Sequence, residues 1–131
     1  MTFNSGDSFE IDYEVTEKIY TGFIDLFNDR NPLHTDEQFA KGKGFGGKVM
    51  HGAILNGFLS NFIGERLPDK NVIVLSYKIS FIKPVYMEEK LRLLATVAEV
   101  FPSVNCVNIK YSFQNPDKVT VSKGEISIKV I

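Results

Sequence analysis

From residue 72 onward apolar and polar positions alternate with a period of two. Ile73, Leu75, Tyr77, Ile79 and Phe81 share one parity, and so do Leu91, Leu93, Ala95 and Val97, and then Val107, Ile109, Tyr111 and Phe113. Successive side chains of a strand point to opposite faces, so each run predicts a half-buried strand. In the last stretch Val119 and Val121 fall on one parity and Ile126, Ile128 and Val130 on the other, with Gly124 near the change. A β-bulge there restores a single inward face. The connections Lys83 to Glu89 and Gln114 to Lys118 carry proline and charge, which predicts turns between antiparallel neighbours and hence a four-strand meander.

Before residue 72 the pattern is helical and loop-rich. Ile19, Phe23, Ile24, Leu26 and Phe27 follow a Thr16-x-x-Ile19 start at helix-compatible spacing, and Phe9 to Val15 predicts a short strand ahead of them. Asn28 to Asn31 breaks the helix, and Pro32 reinforces the break. Thr35-Asp36-Glu37-Gln38 reads as the cap and first turn of another short helix, followed by a flexible run from Gly42 to Gly47. In His51 to Leu67 the apolar residues cover more than one face, which predicts a helix buried nearly all round. It carries Gly52, Gly57 and Gly64, each costing up to about 1 kcal/mol in a helix interior, and close backbone approach would explain them. The expected architecture is α+β, an antiparallel β-sheet wrapped around one long central helix.

Composition narrows the function classes. With 131 residues, 44% hydrophobic and 24% charged, the chain reads as one soluble globular domain spanning 1–131, large enough to bury a core without metals or disulfides. A net charge of -1 lacks the excess of Lys and Arg expected of a nucleic-acid binder. Cys106 is the only cysteine, which excludes an intrachain disulfide framework and Cys-based zinc sites and suits a reducing cytosol. No basic and apolar leader opens the chain, and no stretch approaches the roughly 18 apolar residues of a membrane span, so neither export nor membrane insertion is expected.

Two glycine patterns match nucleotide motifs and fail on context. Gly42-Lys43-Gly44-Phe45-Gly46-Gly47 fits G-x-G-x-x-G, but no strand precedes it and no helix opens within it. Lys48 is followed by Val49, where a P-loop requires Ser or Thr to hold magnesium. A flexible, somewhat basic loop is the reading that remains.

The informative stretch is Asp29-Arg30-Asn31-Pro32-Leu33-His34. The proline fixes one dihedral and disfavours helix at Asn31, so Asp29 and His34 can be held in a rigid non-helical turn. A carboxylate and an imidazole facing one water can take one proton from it and deliver another, which is general acid/base chemistry. The same residues also suit a plain turn with an ordinary partly buried histidine. Val49-Met50-His51-Gly52 then opens the long helix. Backbone N–H groups in a helix's first turn lack partners and favour negative charge, and Gly52 has no side chain to obstruct an incoming oxygen. Such an N–H can stabilise the oxyanion that develops when water adds to an α,β-unsaturated thioester.

Asp29-x-Asn31-Pro32-Leu33-His34, followed by Phe39-Ala40, a glycine-containing loop and Val49-Met50-His51-Gly52, resembles the hydratase motif of the MaoC-like (R)-specific enoyl-CoA hydratases, which have the hot-dog fold. The similarity runs through residues 16 to 67, and Tyr77-x-Ile79-x-Phe81-x-Lys83-Pro84-Val85 resembles the family's strand after the central helix. The resemblance implies a homodimer that reversibly adds water syn to a trans-2-enoyl thioester of CoA or an acyl-carrier protein. It assigns Asp29 and His34 as the catalytic pair and Gly52 as the oxyanion N–H. Around them, Asn31 fixes the turn or orients His34, and Ser60 lies near the site. No cofactor is implied, because the addition involves no redox change.

Other residues leave alternatives open. His51 is a third catalytic or substrate-contacting group, or a metal ligand with Asp29 and His34, or a brace for the helix start; two histidines without a motif such as H-E-x-x-H make a poor zinc argument. Asn56 and Gly57 either face an acyl tunnel and alter its depth or polarity, or serve helix packing. Lys43, Lys48, Lys78 and Lys83 suit CoA phosphates or an acidic carrier protein, or simply solubilise the surface. Cys106 has no accompanying base and is not expected to be a catalytic thiol. The rivals to the hydratase reading are a hot-dog thioesterase, which directs water to C1 instead of C3, and a non-catalytic acyl-thioester-binding module on the same fold.

Overall fold

A computed structural model describes residues 1–131. Its elements run β1 (Ser8–Glu14), α1 (Glu17–Phe27), α2 (Pro32–Thr35), α3 (Glu37–Gly42), α4 (Gly52–Asn61), β2 (Val72–Phe81), β3 (Lys90–Phe101), β4 (Cys106–Gln114) and β5 (Thr120–Val130). The five strands form one antiparallel sheet in the order β1-β3-β4-β5-β2, curled around α4, which is the hot-dog arrangement. No helix is long and apolar enough to cross a membrane.

The inward parity of β3 and β4 is the one the alternation predicts. Leu91, Leu93, Ala95, Val97, Val107, Ile109, Tyr111 and Phe113 are all buried, and they meet Ile54, Leu55, Phe58, Leu59, Phe62 and Ile63 from the helical segment. Burial of this apolar surface, about 25 cal/mol per Å², is what holds sheet and helix together. The helix continues past Asn61 through a π-helical turn, Phe62–Arg66, before Leu67 closes the core.

Four expectations are corrected. The parity predicted for β2 holds only at Tyr77 and Ile79: the register shift between Val74 and Ser76 leaves Ile73 and Leu75 exposed and packs Val72 and Val74 on the core, and Phe81 is exposed as well. β2 does not pair with β3: it crosses to the far edge and pairs with β5, from Val72 opposite Val130 to Phe81 opposite Ser122. The segment 82–89 is therefore a crossover that carries the chain past the start of α4, where Met50 N–H donates to Val85 O at 2.8 Å and Glu88 N–H to Val15 O at 2.9 Å. The bulge in β5 lies at Val121, where the register with β4 shifts, and both Val121 and Ser122 are buried. Gly124 meets a different need: a Cβ there would lie 1.7 Å from the Lys78 carbonyl oxygen and 2.6 Å from the Tyr111 hydroxyl. Finally, α4 is buried on its sheet-facing side only. Ala53, Gly57, Ser60, Asn61 and Gly64 are exposed in the single chain, because α1 stands off from that face and leaves a groove.

Candidate active site

The site is built where three chain segments converge. α1 opens at Thr16, whose hydroxyl oxygen accepts from Ile19 N–H at 3.2 Å, and ends at Asn28, whose φ of 57° turns the chain sharply. Asp29 follows, its carboxylate accepting from Asn31 N–H at 3.2 Å. Asn31 is extended, and its Oδ1 accepts from Leu33 N–H at 2.9 Å, so it caps the one-turn helix α2 with Pro32 in the first position. Proline is favoured there because its missing N–H would have no partner anyway and its φ suits a helix. His34 therefore rides on a helical turn, not on the non-helical one the Asn-Pro pair suggested. The following cap is Asp36, which accepts from Phe39 N–H at 3.1 Å and starts α3.

His34 is held from two sides. Its Nδ1 lies 2.7 Å from the Val49 carbonyl, and its own carbonyl accepts from the Tyr20 hydroxyl at 2.6 Å. A carbonyl only accepts, so Nδ1 carries the proton and Nε2 is left as the free position for a ligand. His51 lies behind it, 2% exposed, with its ring 4.0 Å from that of His34 and nearly parallel. Its Nε2–H donates to the Asp29 carbonyl at 2.9 Å, while its Nδ1 is buried without a partner. Phe23 and Tyr20 enclose the ring at centroid distances of 4.7 and 5.9 Å. His51 occupies the N-cap position of α4 but makes no side-chain cap; it braces the Asp29 turn instead.

Gly52 begins α4, so its N–H has no partner within the helix. A Cβ on Gly52 would meet the Phe81 ring at 2.7 Å, so the absent side chain lets β2 close over the helix start. His34, Met50, His51, Gly52, Phe81 and Val85 line a cavity of about 470 Å³ at this point. Asp29 does not line it, but its carboxylate and the ring nitrogens of His34 and His51 lie within 4.8 Å of one another. Asn31 spends its side-chain oxygen on the cap, and Asn56 and Ser60 line a separate groove along the outer face of α4.

The acid and the two histidines have the composition of a metal site, but His51 has no ring nitrogen free to join it. Nδ1 of His34 and Nε2 of His51 are engaged by carbonyls, and His51 Nδ1 is sealed. The arrangement suits one water or oxygen atom held between Asp29 and His34 Nε2. Tyr20 escaped the sequence reading, and Phe23, Val49 and Phe81 were read there only as helix, motif and strand positions; the one signal for Tyr20 was its place with Ile24 on the buried stripe of α1.

Comparison with known proteins finds relatives that span most of the chain. A match to the MaoC-like domain family covers residues 4–126. The 3-hydroxybutyryl-CoA dehydratase of Methylorubrum extorquens is 30% identical over 117 residues, 89% of this chain and 74% of the relative. The (R)-specific enoyl-CoA hydratase of Rhodospirillum rubrum is 27% identical over 125 residues, 95% of this chain and 86% of the relative. Among solved structures, the (R)-hydratase from A. caviae superposes with a TM-score of 0.90 at 23% identity, covering 99% of this chain and 98% of that one, which shows the shared fold.

Proposed function

Because this chain belongs to the MaoC-like domain family, we propose that it is an (R)-specific enoyl-thioester hydratase/dehydratase. The observation that carries the reading is His34, whose Nδ1 is held by the Val49 carbonyl so that Nε2 is free, with a ring nitrogen within 4.8 Å of the Asp29 carboxylate beside the first N–H of α4. In the hydration direction Asp29 and His34 hold a water against C3 of a trans-2-enoyl thioester. The water oxygen bonds to C3 while the C2–C3 π electrons move toward the thioester oxygen, where the Gly52 N–H receives the charge. The proton taken by the pair is returned to C2 on the same face, so one molecule of water is added syn and nothing is oxidised. The chain's own groups suffice for this step, with CoA or an acyl-carrier protein entering as the thiol part of a thioester that stays intact.

We also propose a homodimer. β2 is an edge strand whose outward Ile73 and Leu75 are about half exposed, and an apolar edge of this kind invites pairing with a second copy. Leu75→Lys is expected to shift the protein from dimer to monomer in analytical ultracentrifugation; an unchanged dimer would place the interface elsewhere.

The activity is tested with crotonyl-CoA, by loss of enoyl-thioester absorbance and chiral analysis of the product. The proposal expects 3R-hydroxybutyryl-CoA. Release of free CoA without hydration would indicate a thioesterase, and binding without turnover a non-catalytic module.

A further inference from the structure

The glycine run Gly42 to Gly47 fails as a nucleotide motif, yet it reaches the catalytic cavity: Phe45 is part of the wall that also carries His34 and Gly52. Four of the six residues are glycine, and Gly44 sits at a φ of 94°, where other residues are strained. A stretch so rich in glycine loses much conformational freedom when it is ordered, so the contacts that order it decide where Phe45 stands. Those contacts are few. Upstream, Gly44 N–H donates to the Lys41 carbonyl at 3.0 Å and Phe45 N–H to the Ala40 carbonyl at 3.1 Å; downstream, Val49 N–H donates to the Leu33 carbonyl at 3.1 Å. Between them, residues 46–48 make one hydrogen bond, from Gly46 N–H to the Tyr86 hydroxyl oxygen at 2.9 Å.

Tyr86 is well placed to act as a clasp. It belongs to the crossover 82–89, which supplies another part of the cavity wall through Ile82, Pro84 and Val85. The crossover is itself anchored on both sides of Tyr86, because the Val85 carbonyl accepts from Met50 N–H and Tyr86 N–H donates to the Glu89 carboxylate at 2.7 Å. The Tyr86 hydroxyl therefore ties the glycine run to a fixed wall, at the residue next to Phe45. A ligand in the cavity buries apolar surface against Phe45 only while the tie holds that ring on the wall. Ligand and clasp favour the same closed arrangement, so each strengthens the other.

We propose that the loop from Gly42 to Gly47 is a flap over the catalytic cavity, with Phe45 as its contact to the bound thioester and Tyr86 as the positioning residue that holds it shut. The assignment rests on the thioester reading above, so it is tested by binding of butyryl-CoA, which has no double bond to hydrate. Calorimetric titration compares wild type, Tyr86→Phe, Phe45→Ala and the double variant. Phe45→Ala is expected to weaken binding about tenfold, the worth of a partly buried ring. Tyr86→Phe is expected to weaken it about fivefold, one exposed hydrogen bond's worth, and to change nothing further when the Phe45 ring is already gone. Hydrogen exchange reads the flap itself: butyryl-CoA slows exchange of the amides at 44–47 in wild type, and Tyr86→Phe without ligand speeds it. A merely structural role for Tyr86 would lower Tm and leave affinity untouched. Wild-type affinity in Tyr86→Phe, losses that multiply to about fiftyfold in the double variant, exchange at 44–47 indifferent to ligand, or no binding of butyryl-CoA by wild type each overturns the proposal. Failure of the hydratase reading shows separately, as absent turnover of crotonyl-CoA with this binding pattern intact.

Discussion

Replacing Tyr20 by Phe removes a single oxygen and tests how firmly His34 is held. The hydroxyl of Tyr20, a residue 6% exposed, donates to the His34 carbonyl at 2.6 Å. Losing a hydrogen bond costs about 0.5–1.5 kcal/mol, and a carbonyl left unpaired away from water adds to that, up to about 3 kcal/mol in full burial. The bond is only partly buried, so we expect about 1.5 kcal/mol. For 131 residues the unfolding entropy is about 0.28 kcal/mol per kelvin, which converts this loss to a fall in Tm of about 5 °C by calorimetry. The same energy sets the ceiling on the catalytic effect. If all of it serves to place His34 in the transition state, kcat for crotonyl-CoA falls about tenfold while KM changes less. A Tm within about 1 °C of wild type, together with unchanged kcat, would show that Tyr20 is a passive filler and that His34 is positioned by Val49 and α2 alone.

The other predictions concern the brace, the sheet and its pH response. His51→Gln keeps an N–H able to reach the Asp29 carbonyl and retains most of kcat, whereas His51→Leu loses it and lowers kcat by about tenfold or more; equal kcat in the two variants would refute the bracing role. Gly124→Ala drives a methyl group into the Lys78 carbonyl and is expected to cost more than about 2 kcal/mol in urea unfolding, and wild-type stability would contradict that close approach. Burial raises the pKa of Tyr111 from 10.0 to about 12. Its unfolded form loses a proton first, so its contribution to stability is complete below about pH 10 and is lost as pH climbs toward 12. Wild-type urea midpoints should therefore fall more steeply across that window than those of Tyr111→Phe, and parallel curves would refute the assignment.

Local patterns along the chain carried much of this structure. Thr16 capped its helix as its spacing predicted, and Leu91 to Val97 and Val107 to Phe113 sent the expected parity inward, because these features depend on residues close in sequence. The partner of β2 was not legible. Alternation does not tell which strand lies alongside, the proline-bearing segment 82–89 suits a crossover as well as a turn, and the register shift between Val74 and Ser76 turned Ile73 and Leu75 outward against the predicted parity. The outer face of α4 misled for a related reason. Ala53 and the glycines read as burial on all sides, yet only a neighbouring helix can bury them, and α1 leaves a gap. At the site, Asp29, His34 and Gly52 stood out because proline, histidine and a helix start are local signals. The Val49 carbonyl that fixes the His34 tautomer and the reach of His51 back to Asp29 are contacts across 15 and 22 residues, respectively. Backbone carbonyls leave no mark on a sequence.

The central claim is that Asp29 and His34 together add water to the enoyl thioester. The most direct measurement is the hydration rate of crotonyl-CoA by wild type, Asp29→Asn and His34→Ala, each first shown by circular dichroism and thermal unfolding to keep the fold. General acid/base groups contribute about 10²–10⁴ in rate, so each variant is expected to lose at least about a hundredfold in kcat. Near wild-type turnover in either folded variant would contradict the mechanism.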